Sequence, residues 1–258
     1  MSSKLALPLC WVLSLLTLTL SAQTPVEYHG LWYTLDVSKS TATVVANPTE
    51  NGYTGEVAVP DAVEYGGKTY EVTEIDREAF FGSNIQSVTI GDKVTRVGYR
   101  AFAYSSVASA VIGKGVEWLD DFAFYQCRRL TEVTIGNDEA AEIYTRIGQS
   151  AFHHCTSLSS VILGKSVRWI YPSAFYDCKN LKDVYCLGDY IWPAYGNLPY
   201  FERELLDGMT LHVLPTSYFN YHPGSDYLWS EYPWSAFKET FIMERDELSW
   251  LESKLHRK

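Results

Sequence analysis

After residue 20 the sequence has no long apolar run, and nowhere does it hold a C-x-x-C pair, an H-E-x-x-H, a Walker phosphate loop or a dinucleotide fingerprint. The first absence excludes a membrane-spanning helix from the rest of the chain, because a bilayer takes about 20 consecutive apolar residues. The others remove the usual sequence signs of zinc chemistry and of nucleotide-dependent catalysis. Basic residues are also scarce: 21 Lys and Arg face 31 Asp and Glu, for a net charge of −10. Phosphate backbones are bound by clustered cations, so nucleic acid and anionic membranes are excluded as partners.

The one long apolar stretch is a leader. Lys4 supplies the positive start, Leu5 to Leu20 the apolar core, and Ser21-Ala22 the small residues before Gln23. Cleavage after Ala22 is expected, with no lipid on the product, because Cys10 lies inside the apolar stretch and not at the cleavage site. The predicted location is secreted, extracellular or on the cell surface.

The remainder is built on a repeat. One phrase occurs five times, ending at Ala79-Phe80, Ala101-Phe102, Ala123-Phe124, Ala151-Phe152 and Ala174-Phe175, with Ala-to-Ala steps of 22, 22, 28 and 23 residues. The long step holds an insertion, 137–143. After each Ala-Phe comes a turn and then an alternating phrase such as Leu130-Thr-Glu-Val133-Thr-Ile135, which suits a strand with one buried face. Four of these phrases run directly into Gly91, Gly113, Gly136 or Gly164. Before each Ala-Phe stands an apolar pair: Val72 and Ile75, Val94 and Val97, Val116 and Leu119, Tyr144 and Ile147, Val167 and Ile170. A single coil cannot bury both stretches, so the coils must stack.

The phrase Ala-Phe-x-x-Cys-x-x-Leu-x-x-Val-x-Ile, complete from Ala123 to Ile135 and nearly so from Ala151 to Leu163 and from Ala174 to Cys186, resembles the BspA-like leucine-rich repeat family. The first two repeats depart from it in lacking the Cys. The resemblance implies a right-handed leucine-rich-repeat-like β-solenoid and an exported, non-enzymatic adhesion or recognition protein. Its implied partner is an extracellular protein, of a host matrix or a microbial surface, or a glycan.

The expected division is a signal peptide over 1–22, an N-terminal β cap over 23–71, five repeats over 72–188, a C-terminal cap over 189–244 and a tail over 245–258. Turn signals at Asn47-Pro48, Asn51-Gly52 and Gly66-Gly67 make hairpins of the first segment. The C-terminal segment is dense in aromatics, among them Trp192, Trp229 and Trp234. It reads as an apolar seal for the array or, alternatively, as a platform for sugar rings. Leu248, Leu251 and Leu255 would share one face of a short terminal helix.

No catalytic residue, cofactor site or metal site is expected. Cys127, Cys155 and Cys178 recur at one repeat position, with Cys186 close by. They read as buried thiols, with a disulfide as the alternative, because rungs about 4.8 Å apart fall within disulfide reach while parallel Cβ vectors do not converge. His153-His154 reads as a surface turn, since neighbouring side chains diverge. Asp120-Asp121 reads as a solvated turn.

Taken as columns, the strand phrases give an outward row Thr89, Val111, Thr134, Ile162, Tyr185, flanked by Ser87, Ser109, Glu132, Ser160, Asp183. Thr89, Val111, Glu132, Thr134, Ile162, Asp183 and Tyr185 are therefore the candidate ligand-binding residues, partly apolar with acidic points. On the second edge of each coil the outward position reads Glu74, Arg96, Trp118, Arg146, Trp169, a ladder in which each guanidinium is expected over a neighbouring indole.

Overall fold

The computed structural model describes residues 24–49, 52–136, 143–188, 192–193, 208–214, 239–244 and 247–251. They form a parallel β-solenoid whose coils each contribute a strand to two facing sheets. The leader, most of the insertion, and the greater part of the C-terminal aromatic segment lie outside the described residues.

The chain enters through β1 (Val26–Tyr28), β2 (Leu31–Asp36) and β3 (Thr41–Val45), paired antiparallel in that order. β4 (Thr54–Val59) follows, then a hairpin of β5 (Ala62–Tyr65) and β6 (Lys68–Ile75). Its turn is Gly66-Gly67, both at positive φ, as a tight two-residue reversal requires. Not every strand here is in a hairpin: β4 runs parallel to the strand that follows β6, and β3 runs parallel to β6.

From there the chain alternates. β7 (Asn84–Ile90), β9 (Ser109–Ile112), β11 (Glu132–Ile135), β13 (Ser160–Leu163), β15 (Asp183–Cys186), β17 (Thr210–Val213) and β18 (Glu239–Ile242) continue one sheet from β4. β8 (Arg96–Val97), β10 (Trp118–Leu119), β12 (Thr145–Ile147), β14 (Val167–Ile170) and β16 (Trp192–Pro193) continue the other from β6. The alternating phrases become strands because every second residue, as in Val88, Ile90, Ala110 and Ile112, faces the space between the sheets.

That space is filled by columns of like residues. Phe80, Phe102, Phe124, Phe152 and Phe175 stack nearly parallel at 4.7, 4.7, 5.2 and 5.1 Å between ring centroids. All five are buried. Each pair adds about 0.5–1.5 kcal/mol to the burial term, and truncating one ring to Ala would cost roughly 3–5 kcal/mol. Backbone hydrogen bonds repeat the step: Phe80 N–H donates to Ala101 O, Phe102 to Ala123 and Phe124 to Ala151, each at 2.7 Å.

Two corners of every coil adopt left-handed backbone. The residue before each Ala-Phe does so at φ of 54–59° (Glu78, Arg100, Phe122, Ser150, Ser173), and so does the second residue after Phe. Gly82 holds the latter place in the first coil, but Tyr104, Gln126, His154 and Asp177 hold it later. The conformation costs a non-glycine residue about 1–2 kcal/mol. It aims the N–H groups of Glu78, Arg100 and Phe122 along the stack, at the carbonyls of Tyr99, Asp121 and Gln149 in the next coil.

The insertion changes one expected core position. Tyr144 is exposed, and Thr145 sits fully buried in register with Val167, after which the register slips. The two inward residues of β12, Thr145 and Ile147, are two apart where Val167 and Ile170 of β14 are three apart, so the hydroxyl residue takes the inward place. Its cost is offset, because Thr145 Oγ1 donates to Val116 O at 2.7 Å and Ser166 Oγ donates to Gly136 O at 2.7 Å.

Candidate functional site

The strand face is assembled as two adjacent columns. Thr89, Val111, Thr134, Ile162 and Tyr185 pair rung by rung, and so do Ser87, Ser109, Glu132, Ser160 and Asp183. β17 and β18 extend the first column by His212 and Phe241. Ser235-Ala236-Phe237 precedes β18 in sequence, but no Ala-Phe phrase leads into β17. The alternation Leu211, His212, Val213 was the available signal, with both apolar residues buried.

The face is not open along its whole length. Thr89 is exposed, and Val111, Thr134 and Glu132 are half-buried. Ile162, expected to be exposed, is only 5% accessible and packs with Leu187, Met243 and Leu251, beside Tyr185, Leu214 and Leu248. Residues 247–251 are helical and lie across this end. Apolar Ile162 sits outward because the chain's own C-terminal segment covers it.

The covered end is held by a polar clamp. His212 Nε2 lies 3.0 Å from Asp183 Oδ1, and its Nδ1 lies 2.6 Å from Glu247 Oε1. The second is a close polar contact and not an aligned hydrogen bond. The His212 ring stacks on Tyr185 at 4.2 Å, and Trp250 lies 5.6 Å from Tyr185. Burial, with the carboxylates of Asp183 and Glu247, pushes the Tyr185 hydroxyl up to about 12.

On the second edge, Glu74, Arg96, Trp118, Arg146 and Trp169 fall in one register. The guanidinium of Arg146 lies 4.5 Å from the Trp118 ring centroid and 4.6 Å from that of Trp169. Arg96 does otherwise. It donates from Nε and Nη2 to Asp120 Oδ2 at 2.9 and 2.7 Å, so the expected Arg96–Trp118 stack is replaced by an ion pair. Two charge-assisted hydrogen bonds converge on one oxygen of the largely covered Asp120 carboxylate, and together they compete successfully with a single exposed cation–π contact of about 0.5–1 kcal/mol.

The four described cysteines are buried, with no disulfide among them. Cys127, Cys155 and Cys178 each donate a thiol hydrogen bond to the carbonyl of the previous coil's Phe, at 3.0, 3.1 and 3.2 Å. Burial pushes the Cys155 and Cys186 thiols up. The expected divergence of His153 and His154 is not seen: their ring centroids lie 4.4 Å apart and tilted, while His154 pairs with Asp177 and His153 approaches Ser150 Oγ at 3.4 Å. Burial, then the neighbouring His154, lowers the basicity of His153. Among the described residues no three His, Cys, Asp or Glu side chains converge as metal ligands, and no helix is long and apolar enough to cross a membrane.

A family model described as the BspA type leucine rich repeat region matches six copies over residues 68–182. The repeats are a BspA-type leucine-rich repeat region. Such regions are typically non-enzymatic binding scaffolds. Among solved structures, the leucine-rich repeat protein of T. pallidum is 18% identical, with 90% of this chain and 96% of that one covered and a TM-score of 0.45. A leucine-rich repeat protein from Bacteroides capillosus is 19% identical, over 69% of this chain and 98% of that one, with a TM-score of 0.30. The pneumococcal vaccine antigen PcpA is 11% identical, over 86% and 99%, with a TM-score of 0.29. No curated protein matches the chain.

Proposed function

We propose that the chain is an exported recognition protein, without catalytic activity, that binds an extracellular protein through the open part of its strand face. One observation carries this: Thr89, Val111 and Thr134 form an unbroken outward column beside Ser87, Ser109 and Glu132, on strands paired without a bulge from β7 to β11. A flat, rigid strip of small and β-branched side chains with one acidic point loses little side-chain entropy when covered. Asp183 and Tyr185 belong to the same face but border the C-terminal cover, so they act at its margin, whereas Ile162 lies beneath that cover and takes no part. Membership in a family of repeat scaffolds supports a protein partner, and the apolar leader supports export.

The test is surface plasmon resonance of the chain lacking residues 1–22 against a panel of purified extracellular-matrix proteins and whole microbial surfaces. Thr89→Glu and Val111→Glu are expected to weaken capture at least tenfold while the unfolding midpoint stays put. Capture by both variants at the parental level would overturn the reading.

A further inference from the structure

A groove of about 690 Å³ opens on the other sheet, beside the ladder, among Arg96, Trp118, Asp120, Asp121, Gln149 and Tyr171. Its origin lies in the repeat. Where the chain leaves the second strand of each coil, successive coils carry Asp76, Gly98, Asp120, Gly148 and Tyr171 in one hydrogen-bonded column. Gly148 is required there, because a Cβ would stand 2.6 Å from the backbone of Asp120 and Asp121. That close approach removes a side chain between Asp120 and Tyr171 and leaves a notch about two coils wide. Arg96, Trp118, Asp120 and Asp121 reach it from the coils before Gly148, and Gln149 and Tyr171 from the chain after it.

The chemistry of the lining is specific. Arg96 is drawn to Asp120, so it is not stacked on Trp118, whose other neighbour along the column, Arg146, does lie over the ring. Trp118 is 42% exposed and presents indole surface to the groove. Both Arg96 hydrogen bonds go to Oδ2 of Asp120, and Oδ1 of Asp121 takes the Gln149 N–H at 2.7 Å. One oxygen on each carboxylate remains to accept from a ligand hydroxyl. Arg96 keeps further N–H donors, and the Gln149 side chain reaches solvent as both donor and acceptor. Two carboxylates against one guanidinium leave the groove net negative, which disfavours phosphate, sulfate and acidic sugars.

An exposed indole beside clustered carboxylate, amide and guanidinium groups matches a pyranose: its C–H face lies on the ring, and its hydroxyls meet donors and acceptors at the rim. The volume is in the range of small-ligand sites. We infer that this groove binds a neutral carbohydrate, one or two hexose units of a glycan, on a face separate from the strand face proposed for protein binding. Asp120 and Asp121, which read in sequence as a solvated turn, supply its hydrogen-bond acceptors.

The experiment is a glycan array of neutral and acidic mono- to tetrasaccharides probed with the chain lacking residues 1–22, followed by calorimetric titration of the strongest neutral hit. Wild type is expected to retain a neutral glycan, with Trp118→Ala abolishing the signal. Trp118 also packs on Arg146, so Gln149→Ala and Asp121→Asn, which touch neither ladder nor core, provide the second arm. Each is expected to weaken binding about tenfold at an unchanged melting temperature, while Val111→Glu on the strand face has no effect. Capture of no neutral glycan, preference for acidic glycans, or full binding by both Gln149→Ala and Asp121→Asn would overturn the inference.

Discussion

The guanidinium of Arg146 is held between the indoles of Trp118 and Trp169, at 4.5 and 4.6 Å, one coil below it and one above. The coil spacing sets this geometry, because side chains at equivalent positions of a parallel stack repeat every 4.8 Å or so. A double-mutant cycle on Arg146 and Trp169 should return a coupling of about 0.5–1 kcal/mol. The same cycle on Arg96 and Trp118 should return almost nothing, whereas Arg96 with Asp120 should couple measurably. Equal coupling in the two Arg–Trp pairs would contradict the ion-pair geometry.

Glu78 tests the left-handed corners. It sits at φ 56° and its charge meets only the exposed Arg77 at 3.9 Å, a contact of little worth. Glu78→Gly should therefore raise the unfolding free energy, by up to about 1 kcal/mol once glycine's greater unfolded-state freedom is subtracted from the relief of strain. Gly82→Ala, at the other corner of that coil, should lower it by a similar amount. Urea denaturation reads both, and a destabilised Glu78→Gly would mean the corner is not strained.

How much of this was legible follows from what each position demands. The five Ala-Phe phrases show in sequence because a shared burial site imposes a shared residue, and rung pairings such as Thr134 with Ile162 follow directly from them. The left-handed corners do not show, because Glu78, Arg100, Phe122, Ser150 and Ser173 have no chemistry in common. Their conformation is set by the direction each N–H must point. The Arg96 column placed its neighbours correctly but not its rotamer, since Asp120 competes from the adjoining turn. The groove stayed hidden because Gly148 reads as an ordinary turn glycine until the close backbone approach is known. The cover on Ile162 comes from Met243 and Leu251, some 80 residues further along the chain, and no local pattern announces contacts at that range.

The buried thiols give a third prediction. Cys127, Cys155, Cys178 and Cys186 have no accessible surface, and burial holds the Cys155 and Cys186 thiols protonated well beyond neutral pH. Only the thiolate reacts, so labelling by a water-soluble disulfide reagent should be negligible in the native protein across pH 7–9 and should reach four thiols per chain lacking residues 1–22 in denaturant. Fewer than four in denaturant without reductant would reveal a disulfide. Fast labelling in the native state would show that the coils open locally.

The covered end of the strand face yields the last prediction, which separates a surface position from a buried one in the same column. Thr134 and Ile162 are hydrogen-bonded neighbours in register, yet Thr134 is half-buried and Ile162 is sealed beneath Met243 and Leu251. A carboxylate placed at 134 keeps contact with water, whereas one placed at 162 would be buried without a partner and must either take up a proton or displace the cover. Ile162→Glu should therefore destabilise the protein at neutral pH by several kcal/mol, with the loss shrinking as pH falls: a glutamate whose folded pKa is raised binds more protons in the folded state, so its penalty grows as pH rises through the ordinary carboxylate range. Thr134→Glu should shift stability by no more than about 0.5 kcal/mol at any of those pH values. If displacement of the cover is the lower-cost response, Ile162→Glu will show faster hydrogen exchange across 247–251 and 160–163 with only a small change in global unfolding. Leu251→Asp should then produce the same exchange pattern, because it breaks the same contact from the other side. Equal stability of Ile162→Glu and Thr134→Glu, with native exchange in both segments, would mean that residues 247–251 do not rest on Ile162 in solution.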